Sequence, residues 1–98
     1  MYGLIGKMTA ATGQRDALAA ILLDATGAMA GCLSYVIAAD PADPDALWIT
    51  EVWDSAASHK ASLGLAAVQA AIARAKPLIA GFSNRVETIP LGGHGLAR

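Results

Sequence analysis

Charge is scarce in this 98-residue chain. Asp, Glu, Lys and Arg make up 15% of it, against roughly 25% in ordinary globular chains. Less of the surface than usual has to face water, which points to a second copy burying part of it. The seven Lys and Arg are scattered and the net charge is −1, so the basic footprint of a nucleic-acid binder is missing. Cysteine is nearly absent. Cys32 alone cannot close an internal disulfide, which fits a reducing compartment and a cytoplasmic location. Placed inside a strand pattern, it reads as a small buried apolar residue. No apolar run approaches the roughly 18 residues of a membrane span, because Gln69, Arg74 and Lys76 interrupt the Ala-rich segments. The opening stretch MYGLIGKMTA lacks the charged and apolar regions of a secretory signal. Gly13, Gly64 and the GGHG near the end make no G-x-G-x-x-G pattern, so nothing supports a flavin or nicotinamide cofactor. The two histidines lie far apart in sequence, and no Cys/His/Asp cluster has metal-ligand spacing.

What is present is apolar. Hydrophobic residues reach 55%, which excludes disorder by composition. Residues 1–98 suffice for one domain, which at this size buries roughly two thirds of its unfolded surface. The organising stretch is Leu47–Leu63, LWITEVWDSAASHKASL. Leu47–Trp53 is rich in aromatic and β-branched types and reads as a strand. Leu47, Ile49, Glu51 and Trp53 share one face, and Trp48, Thr50 and Val52 the other. Both faces are largely apolar, so each must be covered. Asp54 and Ser55 then offer N-caps for a helix carrying Ala56, His59 or Lys60, and Leu63 on one side.

Around it, Tyr2–Thr9 reads as a first strand. Thr12 is placed to cap a helix from about Gly13 to Thr26, with Leu18, Ile21, Leu22 and Ala25 inward and Gly27 as its stop. Cys32–Ala39 is a second strand. Asp40-Pro41-Ala42-Asp43-Pro44-Asp45 cannot continue a ladder and reads as a solvated connector. Gly64 breaks the second helical region, and a further piece runs from about Leu65 to Lys76 with Leu65, Val68 and Ile72 on one side. Pro77 and Gly81 punctuate its end. Phe82–Pro90 is the last strand, polar enough to be an edge, and 91–98 reads as a flexible tail. The order β-α-β-β-α-β predicts an α+β, ferredoxin-like antiparallel sheet with its helices on one face. The bare face is then expected to pack on a second copy.

The stretches GCLSYVIAADPADPD (Gly31–Asp45) and WITEVWDS (Trp48–Ser55), followed by His59, resemble the antibiotic biosynthesis monooxygenase (ABM) family, specifically its small candidate quinol monooxygenases. The Glu-x-Trp ending the third strand, with a histidine on the next helix, is the specific part. Ala80-Gly81-Phe82 and the final strand agree with it. The resemblance implies a homodimeric α/β barrel with a pocket between sheet and helices in each subunit. It also implies oxygenation of a quinol, anthrone or phenol without metal or flavin. Such substrates, once deprotonated, can pass an electron to O2 themselves, so the protein needs a base, a dry pocket and a hold on the anion.

Within that frame His59 is the expected base, since imidazole titrates near neutrality and the family resemblance places a helix histidine there. Trp53 is the expected platform for an aromatic ring, sharing a face with Glu51 and Ile49. Glu51, a carboxylate in a buried strand, needs a partner, and Arg85 or Lys7 is expected to supply it. Tyr35 and Tyr2 can donate phenolic hydrogen bonds to a ligand. Trp48, on the other face, is expected at the dimer interface. His94, Ser83 and Asn84 are assigned no role. Haem-degrading relatives use an Asn on the first strand and a Trp and His on helices. The first strand here has no Asn and both tryptophans fall on the third strand, which argues against haem turnover. A dimer that binds a small aromatic without converting it, or an isomerase, stands as the alternative.

Overall fold

The two-sided alternation of the third strand divides the whole molecule. In the computed structural model, which describes residues 1–27 and 29–96, the chain forms β1 (Tyr2–Ala10), α1 (Arg15–Asp24), β2 (Cys32–Ala39), β3 (Ala46–Trp53), α2 (Ala56–Ser62), α3 (Ala66–Ala75) and β4 (Ile79–Thr88), with a 3-10 turn at Lys76–Leu78. The strands make one sheet in the order β2-β3-β1-β4, every neighbouring pair antiparallel. This is the expected α+β, ferredoxin-like arrangement.

The pairing register sets two faces. Inner rows run Ala39–Leu47–Met8–Phe82 and Tyr35–Glu51–Leu4–Glu87, with Trp53 between Cys32 and Tyr2. Outer rows run Val36–Thr50–Ile5–Val86 and Ala38–Trp48–Lys7–Ser83. The helices cover the inner face. Leu18 of α1 and Ala75 of α3 meet Leu47 and Ala10 in a core with Met8, Leu22 and Ile37 packed against it. On the outer face Val36 and Val86 stay 52% and 51% exposed.

Several local readings change. Thr12 does not cap α1. The helix starts at Arg15 with Gln14 before it and no side-chain cap. Its start is instead held by a residue distant in sequence, where Gly13 (φ +78) gives its N–H to Asp45 Oδ1 at 3.0 Å. The acidic connector is fixed rather than loosely solvated. Asp40 Oδ1 accepts from the N–H groups of Ala42 and Asp43 at 2.8 and 3.0 Å, and Arg15 Nη1 donates to the carbonyls of Asp40 and Asp43 at 3.3 and 3.0 Å. Asp40 Oδ2 also accepts from Trp48 Nε1 at 2.8 Å. That bond, then the one from Ala42, holds the Asp40 carboxyl below the usual carboxylate range because each favours the charged form.

α3 buries Ala71 and Ala75, whereas Leu65 and Ile72, read with Val68 on one side of the helix, are 41% and 48% exposed. The small residues let the helix sit close to its neighbours. The last strand begins at Ile79 rather than Phe82, with Gly81 inside it. Two register shifts against β1 break its alternation, and Asn84 takes a left-handed φ of +54 at one of them. Gly64 does end the second helical region, between α2 and α3. The expected tail at 91–98 is described as far as Leu96, and its last two positions lie outside the described residues.

Candidate active site

The site grows from the end of β3. Ser55 caps α2, its Oγ accepting from the Ser58 N–H at 3.1 Å, one of the donors a helix start leaves free. One turn on, His59 is carried back over the inner face, and Ser62 Oγ donates to the His59 carbonyl at 2.6 Å. The imidazole packs edge-on to Trp53 and tilted against Tyr2, both with ring centroids 5.5 Å away.

Trp53 is 1% exposed and its Nε1 donates to Glu51 Oε1 at 3.0 Å. Glu51 Oε1 also lies 3.8 Å from His59 Nε2, too long for a hydrogen bond but within ion-pair range once the imidazole is protonated. Glu51 was expected to pair with Arg85 or Lys7. Instead Arg85 Nη1 donates to Glu87 Oε1 at 3.3 Å, and Lys7 Nζ lies 4.0 Å from Asp40 and 5.7 Å above the Trp48 ring, on the outer face. The Tyr2 hydroxyl, then Arg85, holds the Glu87 carboxyl below its ordinary range.

In front of Glu51 lies open space. A cavity of about 370 Å³ is bounded by Leu4, Gly6, Met8, Tyr35, Ile49, Glu51, Phe82 and Arg85, among others. A second, of about 300 Å³, lies between the sheet and the helices, with Leu22, Met29, Val68, Ala71 and Ile72 in its wall. Met8, Tyr35 and Phe82 border both. Burial, then the Glu51 charge, pushes the Tyr35 phenol well above its usual range, so its hydroxyl stays a neutral donor. Burial likewise raises the Cys32 thiol. Of the residues singled out from sequence, Glu51, Ile49 and Tyr35 therefore border the cavity, while Trp53 and His59 stand behind Glu51. The Trp53–Glu51 bond had a signal in the sequence. Residues two apart on a strand share a face, and a buried indole N–H needs an acceptor. Among the described residues no three His, Cys, Asp or Glu side chains come close enough together to hold a metal ion, and no helix is long and apolar enough to cross a membrane.

A four-stranded antiparallel sheet with its helices on one face, and a cavity on the sheet walled in part by the Glu51 carboxylate, define a ferredoxin-like α+β protein. The family model for antibiotic biosynthesis monooxygenases matches residues 1–74. A solved structure of a candidate antibiotic biosynthesis monooxygenase from Chloroflexus aurantiacus is 64% identical, covers 98% of each chain and superposes with a TM-score of 0.96. A second candidate, from Deinococcus radiodurans, is 28% identical over 96% of this chain and 94% of that one, with a TM-score of 0.71. One from Nitrosomonas europaea, 15% identical over 94% and 100% of the two chains with a TM-score of 0.80, shares the fold. A comparison with curated proteins returns no match. The chain belongs to the antibiotic biosynthesis monooxygenase family.

Proposed function

We propose that the protein is a cytoplasmic, cofactor-independent monooxygenase that oxidises a quinol-, anthrone- or phenol-like aromatic with O2. One observation carries this reading. A carboxylate, Glu51, forms part of the wall of an otherwise mostly apolar cavity, held by Trp53 Nε1 and backed by His59. A phenol lodged in the cavity lies against Glu51. Its proton passes to the Glu51–His59 pair, and the imidazole, with a side chain 19% exposed, returns it to solvent. Tyr35 donates to the developing oxyanion, and the apolar walls keep water from the reduced oxygen. The change balances within substrate and O2: one oxygen atom enters the ring, the other leaves as water, and the substrate supplies all four electrons.

The test is O2 uptake with hydroquinones, naphthohydroquinones and anthrones, spontaneous autoxidation subtracted. Uptake is expected to depend on the protein and to fall at least tenfold in Glu51→Gln, whose amide oxygen can still accept from Trp53. A similar fall is expected in His59→Ala, in line with the contribution of general base catalysis. Uptake unchanged in both variants sinks the proton-transfer assignment. Saturable binding with no uptake for any substrate gives the site to a ligand-binding protein instead.

The working unit is proposed to be a homodimer closed through the outer sheet face. The row Val36–Thr50–Ile5–Val86 crosses all four strands, and its two valines are half exposed, a cost that a second copy removes. Val36→Glu is expected to shift sedimentation from dimer to monomer at micromolar concentration. A wild-type protein that sediments as a monomer refutes the interface.

A further inference from the structure

The two cavities differ in chemistry, and the difference specifies a ligand. The lobe at Glu51 carries the charged groups, Glu51, Arg85 and Lys7, with Ser83 beside them and Tyr35 shared with the other lobe. The lobe under the helices is walled mainly by aliphatic and thioether side chains, with Met29, Leu22, Val68 and Ile72 around the small residues Ala71 and Ala75. Met8, Tyr35 and Phe82 border both, so the lobes adjoin at one waist. We propose that the substrate is a hydroxylated ring bearing an aliphatic side chain, the ring lodged against Glu51 and the chain running past the waist into the helix-side lobe. This rests on the oxygenase reading only for what happens to the ring; the shape of the ligand follows from the lobes.

Volume sets the length. The helix-side lobe, about 300 Å³, holds on the order of ten methylene-sized groups if each takes about as much space as a water molecule in the liquid, roughly 30 Å³. Flexible thioethers and branched aliphatics adapt to a chain whose conformation varies. The ring-side lobe has a built-in gap as well. Gly6 lies on the inner face opposite Ile49, borders that lobe, and a Cβ placed on it meets nothing within 4 Å. A side chain there projects into the space the ring occupies without displacing protein.

The experiment is anaerobic calorimetric titration of the wild-type protein with 2-alkylhydroquinones from methyl to decyl, with O2 uptake measured in parallel. Kd is expected to fall about fourfold for each added methylene until the lobe is full, the gain that burial of a CH2 gives. Val68→Phe is expected to flatten that slope, and Gly6→Val to weaken every member by a similar factor. A wild-type Kd that ignores chain length overturns the proposal, as does tighter binding of fused-ring hydroquinones than of alkyl ones of equal carbon number. The arms separate the two ideas. A chain-length slope without O2 uptake keeps the ligand class and removes the oxygenase, and uptake without a slope does the reverse.

Discussion

Trp53→Ala is expected to remove about 3–5 kcal/mol of stability, the usual cost of deleting a large buried aromatic side chain. That is a large share of the roughly 5–15 kcal/mol available to a domain. Trp53 is among the largest fully buried side chains, 1% exposed, and it touches both members of the proposed proton-transfer pair. Trp53→Phe separates its two jobs. Most of the buried ring surface stays, but the Nε1 donor to Glu51 is lost. With the Glu51 side chain 12% exposed, an unpartnered carboxylate there costs about 1–3 kcal/mol. Urea unfolding measures both losses. Applied to wild type, Trp53→Phe, Glu51→Leu and the double variant, it closes a double-mutant cycle, the leucine leaving the indole no acceptor at position 51. A coupling energy near zero between Trp53→Phe and Glu51→Leu means the indole acts by packing alone. Substantial coupling, with O2 uptake falling in Trp53→Phe while the fold is kept, ties the hydrogen bond to the chemistry.

Gly31→Ala is the second large effect. Gly31 has φ +83, where a Cβ costs about 1–2 kcal/mol. That Cβ would also sit 2.6 Å from Ser58 Oγ and 2.7 Å from both Ser58 Cβ and Asp54 Oδ1, so the start of α2 must move. The Gly31 carbonyl accepts from the Asp54 N–H at 2.8 Å, tying the entry of β2 to the end of β3. A total loss of about 2–4 kcal/mol is expected, seen as a fall in Tm of roughly 10 °C or more in a domain of this size. His59 lies one residue past Ser58, so activity is expected to drop further than stability explains. Gly27→Ala, at a position where a Cβ meets nothing and φ is ordinary, is the control and should leave Tm within a degree or two. Equal melting of the two variants refutes the close approach at Gly31.

The sequence was most readable where a local pattern decides structure. The alternation in Leu47–Trp53 marked both sheet faces, and Ser55 at the strand end marked the cap of α2. It was least readable where distant segments decide. The start of α1 depends on Asp45, which lies in a connector 32 residues away. Glu51 had two cations nearby in the alternation pattern, Lys7 and Arg85, and a chain read residue by residue favours charge with charge. Lys7 instead faces outward with Trp48 and Asp40, and Arg85 turns to Glu87. The last strand starts three residues earlier than its sequence suggests because Gly81, which reads as punctuation after the helix, lies inside the strand; Ile79, Phe82 and Arg85 then follow at intervals of three, a spacing that hides the strand's alternation.

The irregular register of β4 also bears on how such a chain can change over generations. Asn84 and Arg85 together stand opposite Gly6, between the pairs Ser83–Lys7 and Val86–Ile5. Deleting Asn84 leaves Ser83 with Lys7, brings Arg85 alone against Gly6 and keeps Val86 with Ile5. Indels are usually confined to loops because losing one strand residue turns every later side chain to the other face. Here a strand that borders the cavity has a place where its length can vary by one residue while each neighbour keeps its side of the sheet.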